Sequence, residues 1–78
     1  RAAKLSFNEK RELEALPDRI AGLEAEQQTI QARLADPAIY QQAPLEVPRL
    51  NDRLQAIDQE LDAALERWES LESKAGGN

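Results

Sequence analysis

The chain contains no cysteine and no histidine. Without thiols it has neither a disulfide staple nor a thiolate metal ligand. Without imidazole, histidine-based acid–base chemistry and the common zinc sites are excluded. Aromatic side chains are scarce, one each of Phe, Tyr and Trp, and the mean hydropathy is −0.68, which argues against a thick globular core. No apolar run approaches the roughly 18 residues that span a bilayer, and no signal-peptide pattern is present, so no membrane association is expected. Lack of cysteine suits the cytoplasm, the expected compartment. Methionine is also absent and the chain finishes in Gly76, Gly77 and Asn78, so a piece of a longer protein is expected. Its 78 residues make one small domain at most, and its net charge of −5 disfavours a general binder of polyanions.

What is present is punctuation and period. Ser6-Phe7-Asn8-Glu9 fits a capping box, in which the Ser6 hydroxyl accepts from the Glu9 N–H and the Glu9 carboxylate reaches back to the Ser6 N–H. From there Leu13, Leu16, Ile20, Leu23, Gln27, Ile30 and Leu34 alternate steps of three and four, a heptad seam with one polar member. Val47, Leu50, Leu54, Ile57, Leu61, Ala64, Trp68 and Leu71 repeat the pattern. Between them "ADPAIYQQAPLEVP" carries three of the four prolines and breaks the period.

Two amphipathic helices with one connection predict an all-α fold, a two-helix antiparallel coiled-coil hairpin. The expected register sets Leu34 against Leu50, Ile30 against Leu54, Gln27 against Ile57 and Leu23 against Leu61. It continues with Ile20 against Ala64, Leu16 against Trp68 and Leu13 against Leu71. The whole of 1–78 reads as a single C-terminal coiled-coil domain, with helix 1 over about 6–35, the connection over about 36–47 and helix 2 over about 48–74. Asp36-Pro37 reads as N-cap and first residue of a short helical turn over Pro37 to Gln41, of α or 3₁₀ geometry. Ile39, Tyr40 and Leu45 are expected to fold over the hairpin end, and Pro48 to open helix 2. Pro17 lies inside helix 1, yet the heptad phase runs through it. A bent, continuous helix is expected, with Trp68 filling the seam beside the bend.

Several groups read as structural. The acidic pairs Glu12 and Glu14, Glu24 and Glu26, and Asp58 with Glu60 and Asp62 lie on a rod with no pocket to shift their pKa values, and read as a solvated face. Gln27 reads as a register-setting seam residue and Trp68 as core. The seam-flanking residues Glu12, Arg19, Glu26, Arg33, Arg53, Glu60, Arg67 and Lys74 share one edge. They either stack Arg19 by Arg67 and Arg33 by Arg53, or pair one turn away as Arg19–Glu60, Glu26–Arg53 and Glu12–Arg67. The sequence leaves both open.

The N-terminal cations are the functional signal. Arg1, Lys4, Lys10 and Arg11 meet only Glu9 among the first eleven residues. Cations near a helix N-terminus oppose its dipole, so helix stability does not account for Lys10 and Arg11. They are the first candidates for phosphate contact, with Arg33, Arg49 and Arg53 as a second choice. No catalytic, metal or cofactor-binding residue is expected.

"KLSFNEKRELEALP", "LADPAIY" and "ERWESLES" together resemble the C-terminal coiled-coil domain of the ABC-F ATPases of the Uup type, over Lys4 to about Gly77. The resemblance implies a parent with two ATP-binding cassettes and no transmembrane domain. Members act on ribosomes, and the Uup type is linked to DNA binding through this domain. It therefore implies a DNA-binding accessory domain, or contact with the ribosome and its RNA. The DNA contact is expected to be weak and sequence-independent, because the N-terminal segment offers few side chains suited to reading base edges. No Gly-rich phosphate loop occurs in this chain, so the chain itself is not expected to be an enzyme or to hold a small-molecule ligand. The rival reading is a protein–protein or spacer coiled coil. The isolated domain is expected to be monomeric.

Overall fold

A computed structural model describes residues 4–76. Helix α1 spans Phe7–Ala35, a four-residue helix α2 spans Ile39–Gln42, and α3 spans Glu46–Ala75. The two long helices pack antiparallel along the molecule, which measures 60 × 16 × 15 Å. The expected hairpin is the observed fold.

The start of α1 is fixed locally. Ser6 Oγ accepts from the Glu9 N–H at 3.1 Å, and Glu9 Oε1 accepts from the Ser6 N–H at 2.9 Å. At the other end Asp36 is the C-cap, and its Oδ1 also accepts from the Ala38 N–H at 3.0 Å. The turn that follows begins with i→i−3 bonds from Ile39, Tyr40 and Gln41 and closes with i→i−4 bonds from Gln42 and Ala43. It thus mixes both expected geometries and lies slightly later in the chain than the cap signal alone suggested.

Helix α3 starts at Glu46, so Pro48 is its third residue rather than its first. The first four N–H groups of a helix have no intrahelical acceptor, and a proline anywhere in that turn loses nothing. The earlier start makes Leu45 the N-cap residue and leaves it 83% exposed. Its expected place over the hairpin end is therefore not taken; Ile39, at 7% exposure, covers that end.

Leu16, Leu23 and Ile30 on α1 and Ile57, Ala64 and Leu71 on α3 are buried, each set one heptad apart. Leu16, Ala64 and Leu71 form one cluster with Leu5, Leu13 and Ile20 against it. Leu23, Ile30 and Ile57 form the second, with Leu34, Leu50, Leu54 and Leu61. Leu13 with Leu71, Ile20 with Ala64 and Leu23 with Leu61 fall in common clusters, as the expected register requires. The expected pairing of Leu16 with Trp68 is not borne out, since Leu16 clusters with Ala64 and Leu71 and Trp68 lies outside that cluster. The remaining seam line is half-buried, because no third helix closes it.

Trp68 departs from expectation. It is 36% exposed, not core. Ala64 and Leu71 close upon Leu16, and the larger indole lies along the seam edge in an open cleft with Pro17, Ile20, Ala21, Glu24 and Leu65. Helix α1 runs unbroken through Pro17, as its heptad phase implied.

Candidate nucleic-acid interface

The charged edge resolves into attraction. Arg67 meets Glu12 at 2.8 Å, Arg19 meets Glu60 at 3.4 Å, and Arg53 meets Glu26 at 2.7 Å and Glu60 at 2.9 Å. The one-turn-offset pairing is the one adopted. Arg33 adds a contact to Glu46 at 3.0 Å, and Lys74 one to Glu9 at 2.9 Å. These last two stand at opposite ends of the hairpin. In each, the cation is in the last turn of one helix and the carboxylate in the first turn of the other. Both partners then complement the dipole of their own helix.

The pairing shows in proton affinity. The Ser6 backbone N–H, then the Lys74 ammonium, hold the Glu9 carboxyl below its ordinary range. Arg67 does the same for Glu12, and Arg53 for Glu26. In return, hydrogen bonding to those carboxylates raises the proton affinity of Arg53 and Arg67.

Against that background the cations without a carboxylate stand out by their position. Among the described residues, Lys4, Lys10, Arg11 and Arg49 make no ion pair. Three of them lie within the first eleven residues and are exposed. Glu9, the carboxylate in their midst, is engaged by Ser6 and Lys74. Arg1, the fourth candidate, lies outside the described residues. The structure thus brings Lys4, Lys10 and Arg11 to the open end of the hairpin, where α1 begins and α3 ends. The second-choice set does not hold together: Arg33 and Arg53 are committed to carboxylates, and Arg49 stands alone.

A residue that sequence reasoning used only as part of the cap stands among these cations. Phe7 is 71% exposed, and the Arg11 guanidinium carbon lies 5.8 Å from its ring centroid. The i,i+4 spacing of Phe7 and Arg11 was visible in the sequence. Its significance depended on the ring being outside the core.

The remaining candidates are structural. Gln27 Nε2 donates to Asp58 Oδ1 at 2.9 Å, so the polar seam residue finds a cross-helix partner. Among the described residues no group of three His, Cys, Asp or Glu side chains could hold a metal ion, and no helix is long and apolar enough to cross a membrane.

Residues 4–73 match the family model of the ABC transporter C-terminal domain. A Uup-like ATP-binding protein of Haemophilus influenzae is 43% identical over 74 residues, which is 95% of this chain and 16% of that protein. The ATP-binding protein Uup of Escherichia coli is 37% identical over 76 residues, 97% of this chain and 12% of that protein. The chain therefore spans only a small part of the length of these relatives. A solved C-terminal domain of the Uup protein, described as a DNA-binding coiled coil motif, superposes with a TM-score of 0.84 at 37% identity. That match covers 97% of this chain and 89% of the solved one.

Proposed function

Because the chain belongs to the ABC transporter C-terminal domain family, we propose that it is the DNA-binding accessory domain of a longer ATP-binding protein, and that it docks that protein on DNA through the open end of the hairpin. The observation that carries this reading is the segregation of unpaired cations. Along the rod every seam-flanking arginine faces a carboxylate. Among the described residues three of the four cations without an ion pair, Lys4, Lys10 and Arg11, are exposed at one end, and the fourth, Arg49, stands at the other. Lys10 and Arg11 stand where the helix dipole disfavours them, so helix stability does not account for them. The DNA-binding description of the solved relative favours DNA over ribosomal RNA as the polyanion. The acidic body repels the rest of a duplex, so DNA meets the open end and not the Tyr40 end.

Phosphate contacts release counterions, so affinity falls steeply with salt. Three or four contacts imply a log–log slope of roughly −3 to −4, at about −0.9 per phosphate. Backbone contact carries little sequence information, and binding is weak and sequence-independent. Changing Lys4, Lys10 and Arg11 together to Gln is expected to abolish the salt-sensitive binding seen by fluorescence anisotropy while leaving helicity intact. If amide shifts on adding DNA cluster instead around Arg33, Arg49 and Arg53, the connection end is the site and this reading fails.

A further inference from the structure

We propose that Phe7 and Arg11 form a stacking platform for an unpaired base, so that the open end prefers single-stranded DNA to duplex of equal length. This rests on the reading of that end as the nucleic-acid contact. The chain has one phenylalanine and exposes 71% of it. The apolar requirement of this end is met by Leu5, Leu13 and Ile20, which pack against the buried Leu16 cluster without it. The outward neighbours of Phe7 one and two turns on are Lys10, Arg11 and Glu14, all exposed. A protein partner burying the ring would have to bury those charges as well.

The chemistry suits a base. The Arg11 guanidinium at 5.8 Å lies within cation–π range of the ring, so two flat groups share one small surface. Nucleobases stack on aromatic rings and on guanidinium planes, and do so with little regard to sequence because every base has a π-face. Lys4 and Lys10 supply ammonium groups for the flanking phosphates. Bases in a duplex are already stacked upon each other and do not offer a face except at the ends. A duplex is also stiff and brings a second charged strand toward the acidic rod. A single strand bends away from the carboxylates after its contact with the platform.

The test compares oligothymidine, an abasic strand with the same number of phosphates, and a duplex of equal length. All three are titrated by anisotropy against the full chain and its variants. The expected order is oligothymidine tighter than both others. Phe7→Ala is expected to weaken oligothymidine binding by about fivefold or more, the effect of losing one base–aromatic stack, and to leave abasic and duplex binding unchanged. Phe7→Trp is expected to restore or exceed the original affinity. Upfield shifts of the Phe7 ring protons on adding oligothymidine, absent with the abasic strand, give a readout that altered helix capping would not move. Equal affinity for oligothymidine and the abasic strand overturns the proposal. So does full retention of affinity in Phe7→Leu, which would mean an apolar contact and not a stack. If Phe7→Ala has no effect while the Lys4, Lys10 and Arg11 triple change abolishes all binding, the platform falls and the cation site stands. If the triple change leaves binding intact, the cation site itself falls.

Discussion

Tyr40 has half its surface in water, yet its hydroxyl donates to the Leu34 carbonyl at 2.9 Å. That carbonyl is among the last four of α1, which have no intrahelical donor. The side chain thus works as a C-terminal cap supplied from the next turn, more than as a lid. Removing only the hydroxyl tests this. Tyr40→Phe is expected to cost roughly 0.5–1.5 kcal/mol in urea unfolding, the range for one net hydrogen bond. Unchanged stability would mean that water replaces the hydroxyl fully and that only the ring matters. Trp68 shows the converse limit of reading a single residue. Its heptad position placed it in the seam, but position states which way a side chain faces and not whether the space accepts it.

At the scale of the element, α1 carries two residues that oppose helix formation, Pro17 and Gly22, and remains continuous. An added Cβ at Gly22 would meet nothing within 4 Å. Gly22→Ala is therefore expected to stabilise the hairpin by about 1 kcal/mol through backbone entropy alone. Pro17→Ala restores one backbone hydrogen bond and is expected to add up to ~3 kcal/mol, since that is the usual interior penalty of proline relative to alanine. Denaturant midpoints measure both, with the Trp68 emission maximum reporting on the cleft beside Pro17. A loss of stability in Pro17→Ala would show that ring contacts in that cleft outweigh the missing bond. In contrast, the capping box and the heptads of both long helices were legible without coordinates, because each depends on neighbours three, four or seven residues away.

The whole molecule is a rod. Its radius of gyration is 17.4 Å, where a compact domain of this length would have about 11–12 Å. With so thin a core, cross-helix carboxylates matter to its response to acid. The folded pKa values of Glu9, Glu12 and Glu26 lie below the ordinary 4.5. Their contribution is complete above the unfolded value and is lost as pH falls through the folded values. The melting temperature is expected to be flat from neutral pH down to about 5.5 and to fall progressively below about 4.5. The fall should be smaller in high salt, because these groups are exposed and screened. Carboxyl resonances of Glu9, Glu12 and Glu26 that titrate at or above 4.5 would overturn the assignment.

The amino-acid sequence by itself determined the helical hairpin, its register and its Ser6 start, because heptad spacing and cap chemistry are short-range and repeat along the chain. It also singled out Lys4, Lys10 and Arg11 by their concentration at one end. Only the tertiary structure decided the rest. Whether Arg53 faces Arg33 or Glu26 depends on which way the flanking side chains lean across the seam, since both pairings belong to the same register, and the structure sets Arg53 on Glu26. Whether Trp68 fits depends on the seam width left by Ala64 and Leu71. Whether Leu45 covers the hairpin end depends on α3 starting at Glu46. Phe7 gained a candidate role on the same ground: a ring at the first position of a helix is core or surface according to what packs against it, and here Leu5, Leu13 and Ile20 pack on the buried cluster while Phe7 stays exposed.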